Sequence, residues 1–139
     1  MNMNKLIRDL DAIFRQHLVI RSAYLFGSMA QRIDSQLSDV DIAIRLTDNI
    51  LPEVSFDIRM QLMDDLENYF GRRVDIVVLN SASLKLIHQA IRGRKIVFEK
   101  DPREELDYAI EKQKEYFDFR YYIDKDIQES RKYFQEDHV

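Results

Sequence analysis

The stretch "LFGSMAQRIDSQLSDVDIAI", from Leu25 to Ile44, joins two hydrophobic strand patterns through a polar connection. The first pattern ends at Gly27, one of only three glycines in the chain, and Ser28 follows directly. The second pattern alternates, so Asp39 and Asp41 are predicted to project from one face of a strand, together with Ala43 and Arg45, and the large apolar residues from the other. Carboxylates are unfavourable in an apolar strand, so their presence there has to be explained.

The composition is typical of a soluble globular protein. With 139 residues, of which 45% are hydrophobic and 33% are charged, the chain is expected to form a single domain over residues 1–139. The formal net charge of -4 argues against a general nucleic-acid coat, so no direct nucleic-acid binding is expected. The chain has no cysteine and no long apolar run, and we therefore expect a cytoplasmic protein that does not associate with membranes.

Hydrophobic periodicity predicts a layered α/β-type domain in which helices and strands alternate. The helix predicted over 53–70 is expected to bury one stripe of side chains: Phe56, Met60, Met63, Leu66 and Phe70. The predicted order is helix, strand, short helix, strand, helix, strand, helix, strand and long helix, at about residues 6–17, 19–26, 28–33, 39–46, 53–70, 73–80, 83–92, 95–99 and from 102 onwards.

A third carboxylate, Asp75, opens the next strand pattern, "RVDIVVLN". It would project beside Asp39 and Asp41 if the two strands were neighbours. Three carboxylates on one sheet face repel each other unless a cation neutralises them. Oxygen ligands without histidine or cysteine favour Mg²⁺ or Mn²⁺ over zinc. For Asp39 alone, a cap at the end of a loop would be a sufficient explanation.

Gly27 and Ser28 stand between a strand and a predicted helix start, where backbone N–H groups favour an anion. The alternative is a tight turn with a serine cap. Five cations also stand out, and we interpret them as a solvated edge, although they could contact phosphates: Arg72, Arg73, Arg92, Arg94 and Lys95.

Together these residues reproduce a family signature. Gly27-Ser28, ten intervening residues and Asp39-Val40-Asp41, with Asp75 later in "VDIVVL", resemble the GS-x10-DxD pattern of the DNA polymerase β-like nucleotidyltransferases. Within that superfamily the chain is similar to the minimal nucleotidyltransferases, or MNT proteins. The resemblance implies an α+β fold with a mixed sheet, helices packed on one side, and residues 101–139 as a long C-terminal helical extension.

The same resemblance implies roles for the site residues. Asp39 and Asp41 would bind two Mg²⁺ ions, and Asp75 would complete the catalytic-metal site and help to deprotonate the acceptor hydroxyl. Gly27 and Ser28 would hold the β- and γ-phosphates of ATP, with pyrophosphate as the leaving group.

The resemblance also implies a partner. Many MNT proteins are antitoxins that place AMP on a tyrosine of a HEPN-domain RNase toxin, which suggests a type VII-like toxin–antitoxin pair and a hetero-oligomer. Two alternatives are an adenylyltransferase acting on a small hydroxylated molecule such as an aminoglycoside, and a non-catalytic antitoxin that only binds its toxin. The absence of an added acceptor domain argues against the first, and the repelling carboxylates argue against the second.

The C-terminal tract is rich in aromatic residues, with eight of the fifteen in the chain beyond Pro102. They cannot all face one stripe of a helix. One set is predicted to pack on the domain: Leu106, Ile110, Phe117, Tyr121 and Ile127. The others, such as Phe119 and Tyr122, are predicted to be exposed and to dock the partner. A helical hairpin or a homodimer is the alternative.

Overall fold

The computed structural model describes residues 2–27 and 39–137, and these form a mixed four-stranded sheet with helices. The strand order is β3-β2-β1-β4, with β1 antiparallel to both β2 and β4, and β2 parallel to β3. The described elements are α1 (Met3–Arg15), β1 (Ile20–Phe26), β2 (Val40–Leu46), α2 (Pro52–Phe70), β3 (Val74–Val78), a 3-10 turn (Leu79–Ser81), α3 (Leu84–Arg92), β4 (Lys95–Glu99) and α4 (Pro102–Asp137).

The main core lies between one face of the sheet and the helices α1 and α2. Strand alternation sends Val40, Ile42 and Ile44 of β2 to this face, and all three are buried. The helices contribute apolar side chains at helical spacing: Leu6, Leu10 and Phe14 from α1, and Leu62 and Leu66 from α2. The predicted mixed sheet and α+β class are confirmed, and α1 and α2 supply the expected helical layer on one side.

The opposite face of the sheet carries a second, smaller core. Tyr24 and Ala43 are buried there beneath α3 and the beginning of α4. α3 starts where expected, because the Ser83 side chain accepts a hydrogen bond from the backbone N–H of Leu86 at 3.2 Å. Helices therefore cover part of this face as well, and Ala43 lies on the face of Asp41, as the alternation along β2 predicts.

The stripe predicted for α2 is wrong in part. Phe56 and Met60 are exposed, whereas Leu62 and Leu66 are the fully buried residues of this helix. Apolar side chains are distributed around most of α2, so their spacing did not determine which face the helix would bury. The buried face of α2 is instead determined by the sheet, because α2 packs beside the edge strand β3.

The stripe predicted for the C-terminal helix is wrong. α4 buries Glu105 and Ala109, whereas the residues predicted to pack on the domain are all exposed: Leu106, Ile110, Phe117, Tyr121 and Ile127. The exposure predicted for Phe119 and Tyr122 is confirmed. α4 is one continuous helix of 36 residues, so the described part of the tail does not fold back as a hairpin. None of the described helices combines the length and the apolar character that a bilayer crossing requires.

Candidate active site

Two of the three predicted carboxylates lie side by side at one end of the sheet. In the parallel ladder of β2 and β3, Asp41 stands opposite Asp75, and on its other side Asp41 pairs with Phe26 of β1. Asp39 directly precedes β2 and is exposed. β2 and β3 are therefore neighbours, which is the condition for Asp75 to lie beside the other carboxylates.

The carboxylates affect one another electrostatically. The pKa of Asp41 is raised, first by partial burial and then by the negative charges of Asp75 and Asp39. The ionised form of Asp41 is thus disfavoured in the folded protein. A cation at this position would reverse that effect, because it favours the ionised carboxylate.

Gly27 follows β1 and has a structural role next to Asp41. Its φ of 66° lies in the left-handed region that glycine adopts without strain. A Cβ atom at this position would lie 2.7 Å from Oδ2 of Asp41. A glycine is therefore required for the Asp41 carboxylate to occupy its place. Ser28 and the short helix predicted over 28–33 lie outside the described residues.

The donor set fits magnesium, although it does not form a closed cage. Among residues 2–27 and 39–137, no three acidic, histidine or cysteine side chains converge closely enough to hold one metal ion. Mg²⁺ is usually bound through one or two carboxylates, with water and substrate phosphates as the other ligands. Asp41 and Asp75, with Asp39 beside them, supply oxygen ligands of the right chemistry, and water and phosphate oxygens would supply the other ligands.

Sequence reasoning missed a buried polar network that holds α4 against the sheet. Glu105 is 1% exposed, and its carboxylate accepts hydrogen bonds from Ser22 at 2.7 Å, from Arg45 at 2.6 Å and from the hydroxyl of Tyr24. Burial alone would raise the pKa of Glu105, but these donors outweigh it and lower the pKa. Glu104 extends the network by accepting from Arg21 and Arg45.

The network fixes where α4 begins relative to the site. Ser22 and Arg45 are on the face of the sheet that carries Asp41 and Asp75, because they alternate in phase with Asp41 along their strands. Further along, the ring of Tyr116 stacks on His88 of α3, with 3.8 Å between the ring centroids. Polar residues within β1 and β2 were the available signal, but nothing in their spacing identified Glu105 as the partner.

Comparison with known proteins defines the class. Residues 8–103 match the family described as Polymerase beta, Nucleotidyltransferase, and the chain belongs to that family. It is 30% identical over 94 residues to the "Putative protein adenylyltransferase MJ0435" of Methanocaldococcus jannaschii, covering 68% of this chain and 90% of the relative. It is 27% identical over 89 residues to the "Putative protein adenylyltransferase MJ1379" of the same organism, covering 64% and 87%.

Several solved structures of similar fold are described as toxin–antitoxin complexes. A structure of "the toxin-antitoxin with AMP-PNP" superposes with a TM-score of 0.69 at 27% identity, covering 93% of this chain and 98% of that chain. A mutant MntA-HpeT complex gives 0.67 at 28% identity, covering 93% and 97%. A complex of tri-AMPylated Shewanella oneidensis HEPN toxin with MNT antitoxin gives 0.67 at 24% identity, covering 91% and 98%, which supports the fold alone. The predicted resemblance to minimal nucleotidyltransferases is confirmed.

Proposed function

We propose that the chain is a protein adenylyltransferase that transfers AMP from ATP, with Mg²⁺, to a tyrosine hydroxyl of a HEPN-domain RNase toxin. As the antitoxin of the pair, it would neutralise the toxin by this modification. Membership of the nucleotidyltransferase family supports the reaction class. The relatives described as protein adenylyltransferases support a protein acceptor, and the toxin–antitoxin complexes of similar fold support the partner.

The observation that carries the proposal is the pairing of Asp41 with Asp75 across β2 and β3. Asp39 and Asp41 would hold two Mg²⁺ ions, and Asp75 would complete the site of one of them. When bound, the ions would stabilise the attacking and leaving oxygens of an in-line displacement.

Residues of this chain also accept the proton of the acceptor and hold the phosphates of the nucleotide. Asp75 accepts the proton of the acceptor hydroxyl, whose oxygen bonds to the α-phosphorus of ATP while the bond from that phosphorus to pyrophosphate breaks. Gly27 and Ser28 hold the β- and γ-phosphates. Gly27 also leaves room for Asp41, so the same glycine serves the nucleotide and the carboxylate.

The exposed surface of α4 favours a macromolecular partner over a small acceptor. A helix of 36 residues is about 54 Å long, and its buried and half-buried residues, where side-chain burial is described, all lie in its first half, up to Tyr116. The second half exposes large apolar side chains that a partner would cover: Phe119, Tyr121, Tyr122, Ile123, Ile127, Tyr133 and Phe134. Docking on this surface would bring the toxin hydroxyl towards Asp75.

The decisive experiment mixes the protein with ATP, Mg²⁺ and the product of the adjacent gene, and measures intact masses. We expect the partner to gain whole AMP units, and Asp39→Asn, Asp41→Asn or Asp75→Asn to abolish the gain while the fold is retained. Transfer at the wild-type rate by either Asp39→Asn or Asp41→Asn would show that the metal assignment is wrong. Stable binding without a mass change would favour the non-catalytic antitoxin, and transfer to an aminoglycoside instead would favour the small-molecule enzyme.

A further inference from the structure

Arg73 is an exposed cation beside the acidic pair. The backbone N–H of Val40 donates to the carbonyl of Arg73 at 3.0 Å, so the ladder of β2 and β3 extends to this residue. Strand alternation then places Arg73 on the same face as Asp75. Arg73 directly precedes β3 and Asp39 directly precedes β2, so the extended ladder places the two residues next to each other. Within the described parts of the chain, its guanidinium has neither an ion-pair nor a hydrogen-bond partner.

The strand order indicates whether Arg73 lies near the leaving phosphates or near the acceptor hydroxyl. Gly27 follows β1, and β3 lies on the other side of β2, about 10 Å from β1 at the usual strand spacing. In an in-line displacement the leaving and attacking oxygens approach phosphorus from opposite sides. With the leaving phosphates at Gly27, the acceptor would enter from the side of β3. Arg73 therefore stands on the acceptor side of Asp39 and Asp41, in line with Asp75 along β3.

We infer that Arg73 binds an anionic group next to the acceptor hydroxyl. With ATP bound, the three carboxylates and the ATP phosphates together carry more negative charge than two Mg²⁺ ions offset, so an anionic group on the acceptor would be repelled unless a local cation compensated. A guanidinium matches a carboxylate or a phosphate with two parallel hydrogen bonds and stays protonated, so it orients the acceptor while Asp75 takes the proton. This inference rests on the proposed function.

Two sources could supply the anionic oxygens. One is a carboxylate of the partner polypeptide, and the other is the phosphate of an AMP unit transferred in an earlier round. Either way, each transfer forms one bond from acceptor oxygen to α-phosphorus and releases one pyrophosphate. The two sources differ in when Arg73 is needed, because the phosphate exists only after the first AMP has been added.

The test compares Arg73→Gln with the control Arg103→Gln, which removes the same charge far from the site. Arg103 lies at the start of α4, beyond the end of β4 that points away from the acidic pair. Calorimetry measures ATP affinity, and intact mass resolves the first and later AMP additions to the partner. We expect Arg73→Gln to keep the ATP affinity and to lose about tenfold in kcat/KM for the partner, as for one charge-assisted hydrogen bond. Arg73→Lys should restore part of this loss, and Arg103→Gln should match the wild type.

The outcomes separate the alternatives. Slowing of the first addition identifies a partner carboxylate, and slowing of later additions alone identifies the phosphate of attached AMP. If the wild-type protein leaves the partner mass unchanged, the proposed function itself fails. If the wild type transfers AMP but Arg73→Gln equals Arg103→Gln at every addition, or loses ATP affinity instead, only the inference about Arg73 is overturned.

Discussion

Replacing Gly27 by alanine should damage the acidic site through Asp41 and not only through the backbone. The new Cβ would lie 2.7 Å from Oδ2 of Asp41, whereas ordinary contact begins at 3.4 Å, so the two atoms would be 0.7 Å too close. The Asp41 carboxylate has to move, because the other atom is fixed to the backbone. Metal sites tolerate displacements of only about 0.2 Å in ligand distance, so the shift is large enough to matter.

Gly71 supplies a matched control. It has the same φ of 66°, at the end of α2, but a Cβ there meets no atom within 4 Å. Alanine in this left-handed conformation costs about 1–2 kcal/mol at either position. Gly27→Ala and Gly71→Ala should therefore share the loss of stability that comes from backbone strain, and differ in the contact with Asp41.

Thermal unfolding measures the stability that both variants lose through backbone strain. Titration with Mn²⁺ in the absence of nucleotide measures the loss of metal affinity that is expected for Gly27→Ala alone. We expect Gly71→Ala to bind Mn²⁺ and to transfer AMP like the wild type. Gly27→Ala should lose roughly tenfold or more in Mn²⁺ affinity, in line with the effect of disturbing groups that orient metal ligands. Equal Mn²⁺ affinity and equal transfer in the two variants would refute the argument that Gly27 makes room for Asp41.

Three further predictions follow from the site and from α4. Asp41→Asn should raise the midpoint of thermal unfolding near neutral pH while abolishing transfer, because the raised pKa shows that ionised Asp41 destabilises the fold. Glu105→Ala should cost about 3 kcal/mol in denaturant unfolding, because Ser22, Tyr24 and Arg45 lose the carboxylate to which they donate and Arg45 keeps only Glu104. The double variant Phe119→Ser, Tyr122→Ser should weaken toxin binding in calorimetry and leave ATP binding intact. If this variant binds the toxin normally, the docking surface lies elsewhere.

The Glu105 prediction also has a pH dependence. The pKa of Glu105 is lowered in the folded protein, so its ionised form contributes stability that is fully present above the unfolded pKa, about 4.3 for glutamate. That contribution is lost as the pH falls through the lower, folded pKa. The wild type should therefore lose stability below about pH 4, whereas Glu105→Gln should show a weaker decline over the same range.

Local patterns predicted the strands and the position of the acidic pair. Alternation in "DVDIAIRL" placed Asp41 on the face opposite the main core, and the same alternation around Asp75 allowed the two carboxylates to meet once β2 and β3 were neighbours. The start of the C-terminal helix at Pro102 was also predicted, because proline is favoured at the first position of a helix.

Contacts between distant elements were not predictable in the same way. Glu105 on α4 meets Ser22 on β1 and Arg45 on β2, and no spacing within one element indicates such a partner. The face of α4 was predicted wrongly for the same reason. A helix with apolar residues on several sides can bury any of them, and here the buried hydrogen bonds of Glu105 determine which side faces the sheet.

The core also determines the geometry of the acidic site. Val74 and Ile76 are buried beside α2, and strand alternation then forces Asp75 to the opposite face. A shift of one residue in the pairing of β2 and β3 would bury Asp75 and expose both apolar neighbours, so burial of apolar surface fixes the register. That register places Asp75 opposite Asp41 despite their mutual repulsion. Hydrophobic packing therefore holds together two carboxylates that would otherwise separate, and a bound cation would convert their repulsion into affinity.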